Sequence, residues 1–424
     1  MLGDMHGATG VALLALHQVC RPQRRARFRN HFSHSATCAQ AKAALGGPCS
    51  TPLAMGTGNT ALEFHAGRLL ALQEGSLPWH LRVLCDGALE TIGSCTFDDA
   101  APRTFTAHPK VDALTSEMCF ISYQVDKTPH LAYGVLDADG KPLHVTPVPI
   151  RFPQMLHDFA ITRSYAVFWD LPLVFEPKEM VAGDKLPFVF EKTRGAAFGV
   201  MQRRAEGSEC RWFSLPGCMI FHSLACWEEE DAQLVRLFAA RIEDFDLTLP
   251  PAGKSHDVRT IDGGFPTLFE FVFDLRTGEA TQSCVIPLPE GVTGMDFPRA
   301  HPHLTGAKVR YGYLALFAGL VITGVAKVDL ETRSIVGRID YPDGMCGGEA
   351  YFVPSHEGAP GPGQEDDGWL FTYVSSPSAS SLWIMDAKSM NAKPAAVLPL
   401  PTRVPWGFHS KWVPQTQLAA QRAS

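Results

Sequence analysis

The chain has 424 residues, 46% of them apolar, which is ample for a large core. Its 37 Lys and Arg against 44 Asp and Glu give a net charge of -7. That balance excludes the broad basic stripe that a nucleic-acid backbone requires, so no nucleic-acid partner is expected. Eleven cysteines, an odd number with no CxxC pair, exclude a disulfide scaffold and fit a reducing compartment.

The N-terminus lacks a charged start followed by an apolar core and a small-residue cleavage site, so no secretory signal is expected. The one basic cluster, Arg21 to Arg29, suits a solvated loop, and residues 20 to 55 suit a loop or helical insertion over one face. From there the chain is a succession of short strands. An apolar run ends in Asp, a tight polar turn follows, and another strand begins, at Asp112, Asp137, Asp274, Asp329 and Asp386. Asp belongs in such turns because its carboxylate accepts N–H groups from its own downstream backbone. The most apolar stretch, Tyr311 to Ala326, is shorter than the roughly 20 residues that span a bilayer and contains glycines, so it is expected to be buried β-structure. Residues 358–367, GAPGPGQEDD, are expected to form a surface loop, and Glu228 to Glu230 a solvated turn. Many short hairpins with little helical periodicity predict an all-β chain, either a β-propeller or a double sheet, in one domain over residues 1–424.

Four of the sixteen histidines, His108, His157, His222 and His409, sit in short alternating runs: TAHPKVD, HDFAITRSYAVFWDLPL, MIFHSLACWEE and RVPWGFHSKW. Singly, each is an ordinary core or surface histidine. Neutral imidazole binds iron, copper, nickel and zinc, and a set of four adds no ligand charge. No GxSxG elbow, GxxxxGK[ST] loop or HExxH helix offers a rival chemistry.

Nine longer runs, in order, carry a family resemblance: GTGNTALEFHAGRLLALQEG, TAHPKVDALTSEM, HDFAITRSYAVFWDLPL, FGVMQRR, MIFHSLACWEEED, MDFPRAHPHLTG, GGEAYFVP, EDDGWLFTY and RVPWGFHSKW. From about Gly56 to its end the chain resembles the carotenoid cleavage dioxygenases, most of all the plant subgroup that cuts at the 9,10 (9',10') double bonds. The resemblance implies a seven-bladed β-propeller with loops or short helices capping one face and further strands upstream of this sequence. It implies Fe(II) on the axis held by His108, His157, His222 and His409, with dioxygen as co-substrate. It also implies that Glu74, Asp296 and Glu349 accept a ring N–H from three of these histidines. Many members have Glu in place of Asp296; the shorter side chain predicts a bridging water. Where members have His-x-x-Asn-Ala-Trp, this chain has His222-Ser-Leu-Ala225-Cys226-Trp227, which removes a side-chain hydrogen bond near His222.

The activity so implied is oxidative cleavage of a carotenoid or apocarotenoid double bond to carbonyl products, on an apolar polyene drawn from a membrane by peripheral contact. Stilbenoid or phenylpropanoid cleavage and an inactive propeller scaffold are the rival readings. Phe221 and Phe408, each next to a metal histidine, are expected to pack between blades or to line the substrate tunnel. The subgroup implies cytoplasmic residence, with a plastid as the alternative.

Overall fold

The computed structural model describes residues 10–14, 58–98, 103–178, 187–204, 207, 209–229, 233–245, 264–405 and 407–422. The predicted insertion over residues 20 to 55 lies outside them. Six antiparallel sheets, each with its strands in near-sequential order, surround a common axis. Numbered along the chain, blades I to VI begin with Ala61–His65, Lys110–Val111, Ala160–Ile161, Met219–Glu229, Gly294–Arg299 and Tyr351–Pro354. In blade VI, Cys346–Gly347 also pairs with the second strand. All six opening strands line one cavity of about 450 Å³ beside His108, which identifies them as the innermost.

Among the described residues the propeller has six blades, not the expected seven. Where a seventh would close the ring, Ser410–Pro414 pairs only with Gly10–Leu14, a two-stranded ladder. The ladder still seals the ring through its side chains. Val413 packs with Leu62, Leu69 and Leu81 of blade I, and Trp412 packs against Tyr351, Phe371 and Ile384 of blade VI. The other junctions are apolar seams between adjacent sheets. Trp169, Phe198 and Phe213 of blade III meet Phe271 and Phe273 of blade IV, for example, and Trp227 and Phe238 of blade IV meet Leu314 and Val328 of blade V. Each sheet thus buries both faces, which explains the near-continuous apolar runs such as Tyr311–Ala318 and Val321–Asp329.

The aspartate turns form as expected. Asp137, Asp274, Asp329 and Asp386 each accept two downstream backbone N–H groups at 2.8–3.2 Å, closing the outermost hairpins of blades II, IV, V and VI. Asp112 does the same for Leu114 in the first hairpin of blade II. The 358–367 loop is mostly surface, but Asp366 is buried on Lys327 at 2.6 Å. Glu228 is no free turn residue: it lies in Met219–Glu229 and accepts from the hydroxyls of Thr162 and Ser164, both at 2.8 Å. The described cysteines are all free thiols. Helix is confined to short turns such as Gln415–Ala419, and among the described residues no helix is long and apolar enough to cross a membrane.

Candidate metal centre

The inner strands enter the axis from different blades and bring the four imidazoles together. His108 stands two residues ahead of the blade II strand, and His157 three ahead of that of blade III. His222 lies inside the blade IV strand, and His409 immediately precedes Ser410–Pro414. One ring nitrogen from each lies within 4.8 Å of the other three. The ring centroids of His108 stand 4.7, 5.1 and 4.5 Å from those of His157, His222 and His409.

Three carboxylates fix which nitrogen faces the centre. Glu74 Oε1 accepts from His157 Nδ1 at 2.9 Å, Asp296 Oδ1 from His222 Nδ1 at 2.8 Å, and Glu349 Oε1 from His409 Nδ1 at 2.9 Å. With Nδ1 carrying the proton, each Nε2 presents a lone pair. The Nε2 atoms of His157 and His108 are 3.0 Å apart, and Nε2 of His222 is buried without a hydrogen-bond partner. Lone pairs gathered so closely repel one another unless a cation lies between them. The donor set therefore fits a borderline metal ion such as iron.

The direct contact of Asp296 removes the need for the expected bridging water. The backbone beside it is irregular. The ladder to the neighbouring strand slips between Asp296 and Arg299, and Phe297 takes a left-handed φ of 51°. The Phe297 N–H then donates to Asp296 Oδ1 at 2.7 Å. A non-glycine residue in that region signals local strain, of a kind that collects at functional sites.

Electrostatics act unequally on the rings. Burial, reinforced by the other three imidazoles, holds His108 well below the usual histidine range. Burial also pushes His409 down to about 4, against the pull of Glu349. Burial opposes charge on both partners of the His157–Glu74 pair. Their mutual attraction wins, raising His157 and lowering Glu74. Glu349, which burial alone would raise, is held far below the carboxylate range by Arg299 and His409.

Of the two aromatic residues the sequence singled out, one packs on the centre. Phe221 stands edge-on to His157 at 5.3 Å and packs on Phe245. Phe408 is 51% exposed beside His409. Sequence reasoning missed Phe297, whose ring lies 5.0 Å from His222 and 5.1 Å from His409. It also missed Arg299, whose Nε and Nη2 hold both oxygens of Glu349 at 2.7 and 2.9 Å. Both lie in the MDFPR run beside Asp296, so adjacency to a chosen residue was the signal available. His301 and His303 lie on the cavity wall, outside the four-histidine cluster.

A β-propeller with an axial four-imidazole centre, three of its rings held by carboxylates, defines a class of metalloprotein. Residues 10–414 match the family described as retinal pigment epithelial membrane protein, RPE65. The chain belongs to this family, the carotenoid oxygenases. It is 40% identical over 382 residues to carotenoid 9,10(9',10')-cleavage dioxygenase 1 of Arabidopsis thaliana, covering 86% of this chain and 68% of the relative. It is 33% identical to the zeaxanthin 7,8(7',8')-cleavage dioxygenase of Crocus sativus, covering 87% and 98%. Among solved structures, the lignostilbene dioxygenase of Pseudomonas brassicacearum superposes with a TM-score of 0.72 at 25% identity, over 90% of this chain and 82% of that one. Cobalt-substituted Synechocystis ACO shares the fold, with a TM-score of 0.73 at 24% identity over 84% and 74%.

Proposed function

We propose that this chain is an Fe(II)-dependent dioxygenase that cuts a carotenoid or apocarotenoid at a 9,10 (9',10') double bond. The observation that carries the reading is the convergence of four imidazole nitrogens within 4.8 Å, in a chain 40% identical to carotenoid 9,10-cleaving enzymes. His108, His157, His222 and His409 would hold the ion, oriented by Glu74, Asp296 and Glu349. When bound, a ferrous ion supplies the electron chemistry that lets dioxygen react with a conjugated double bond. The reaction balances without any other reactant: one C=C bond breaks, and each of its carbons ends as a carbonyl carrying one oxygen of O₂.

The protein's own share is position. The rings of Phe221 and Phe297 stand against His157, His222 and His409 and give the centre apolar aromatic neighbours for a planar polyene. Holding the double bond there makes the reaction effectively unimolecular. A substrate this apolar leaves a membrane or carrier only at a contact, so peripheral membrane association accompanies the reading.

The test is an aerobic assay of iron-loaded protein with β-carotene and an apocarotenal. Aldehyde or ketone fragments of the masses set by 9,10 cleavage are expected, with label from ¹⁸O₂ in both. The similarity to lignostilbene dioxygenase favours a second reading, stilbenoid cleavage. Turnover of a stilbene but of no polyene would establish that reading instead. Stoichiometric iron with turnover of neither would leave a metal-bound scaffold.

A further inference from the structure

Three carboxylates each hold one imidazole, but His108 has none of them. A fourth carboxylate, outside that set, joins the segments that carry three of the ligands. Asp158 directly follows His157 and is 2% exposed. Its Oδ1 accepts from Lys110 Nζ at 2.7 Å, and Lys110 lies two residues beyond His108 in blade II. Its Oδ2 accepts from both the N–H (2.8 Å) and the hydroxyl (2.7 Å) of Ser223, the residue after His222 in blade IV. Oδ1 also accepts the next backbone N–H, that of Phe159, at 2.8 Å.

The blade IV strand needs such a hold. Its ladder slips in register on both sides of Ser223, between Ile220 and Ser223 and again between Ser223 and Ala225. His222 therefore sits on backbone that its own sheet does not fix regularly. Three residues beyond His222, Ala225 has no polar side chain to anchor that backbone. Charge-assisted bonds to a buried carboxylate are short and strong, and those to Ser223 fix the segment from outside the sheet.

We infer that Asp158 is a positioning residue for the metal centre. It locks the His108, His157 and His222 segments in mutual register across blades II, III and IV, through Lys110 and Ser223. The inference rests on the metal reading above and adds a residue that touches no ligand ring. Partners one step removed from metal ligands typically change affinity about 10- to 100-fold when altered.

Asp158→Asn keeps the volume but turns one acceptor oxygen into a donor, which must face either Lys110 Nζ or the Ser223 N–H. The probe is cobalt(II), titrated into metal-free full-length protein in competition with a chromophoric chelator, with the visible d–d spectrum recorded. The control is Asp366→Asn, which breaks the buried Lys327–Asp366 pair between blade V and the loop ahead of Gly368–Ser375. D158N is expected to bind cobalt at least ~10-fold more weakly, with shifted d–d bands. D366N is expected to lower the thermal midpoint with affinity and spectrum unchanged. Folded D158N with wild-type affinity and bands overturns the inference, and so does D366N that loosens cobalt to the same degree. Should D158N not fold, Ser223→Ala decides, since it removes only the 2.7 Å hydroxyl contact. Weakened cobalt binding with shifted bands supports the clamp, and an unchanged site overturns it. Wild-type protein that takes up no cobalt overturns the metal reading itself and is thereby told apart.

Discussion

Arg299 and His409 share one oxygen: Glu349 Oε1 accepts from Arg299 Nε at 2.7 Å and from His409 Nδ1 at 2.9 Å. The second oxygen takes Arg299 Nη2 and the N–H of Ser410. A ligand from the closing ladder is thus tied to blades V and VI through a single buried charge. Glu349→Gln leaves the half-buried Arg299 guanidinium without its counter-charge and places a donor where only acceptors fit. Metal affinity is expected to fall about 10- to 100-fold. Stability is expected to fall by about 1–3 kcal/mol, since the partners of Glu349 lose an acceptor while the half-buried guanidinium keeps part of its hydration. Chelator competition and urea unfolding check both, and a stable variant with native affinity would contradict the arrangement.

His157→Ala removes one of four ring nitrogens and frees Glu74. Iron content after desalting is expected to drop below about one tenth per chain, because a centre missing a neutral ligand and its oriented partner binds far more weakly. His301→Ala, at a buried histidine of the cavity wall, is expected to keep full iron content. Elemental analysis of the two proteins makes the comparison, and equal iron in both would remove His157 from the centre.

Asp296→Glu tests whether the backbone, not the side chain, sets the reach to His222. The carboxylate already stands 2.8 Å from the ring, so one more methylene has to displace the imidazole or the bulge at Phe297. Such overpacking costs about 1–3 kcal/mol. Weaker iron binding and a lower melting midpoint are expected. A variant as stable and as tightly loaded as the native chain would show that the bulge plays no compensating part.

Arg203 is fully buried, joins blade III to blade II through Asp112 at 2.6 Å and Glu117 at 3.1 Å, and donates within blade III to the Thr162 carbonyl at 2.9 Å. Arg203→Ala leaves the buried Asp112 only its turn N–H groups and the more distant Arg204 guanidinium at 3.8 Å, with an expected loss of about 3 kcal/mol by chemical denaturation. Burial would raise the Asp112 carboxyl, but Arg203 and the turn N–H groups hold it below the ordinary aspartate range. A depressed carboxylate stabilises the fold above its unfolded pKa, near 3.9, and that contribution fades as pH falls through the lower folded value. Acid unfolding below about pH 4 is therefore expected to be shallower in the variant than in the native chain.

Local chemistry made part of the molecule legible. An Asp at a strand end recruits its own downstream N–H groups whatever surrounds it, so the turns at Asp137, Asp274, Asp329 and Asp386 were visible beforehand. So was the burial of most of Tyr311 to Ala326, because apolar content acts residue by residue, although Leu320 at the turn between its two strands is exposed. Blade number was not visible. It depends on whether Ser410–Pro414 finds three partner strands or one, which is a matter of long-range pairing. Glu228 was misjudged for a related reason: its partners Thr162 and Ser164 lie in blade III, far away in sequence.

The sequence by itself determined an all-β chain of hairpins and, through the order of its motifs, the four histidines and three acids of the centre. Side-chain chemistry and short-range turns are written locally, and motif order needs no coordinates. Only the tertiary structure decided that, among the described residues, six blades and a ladder close the ring, that Asp296 reaches His222 directly beside a bulge at Phe297, and that Asp158 joins segments of three blades. Those outcomes depend on distances between segments that meet only when the sheets pack around the axis, and no run of neighbouring residues encodes a distance of that kind.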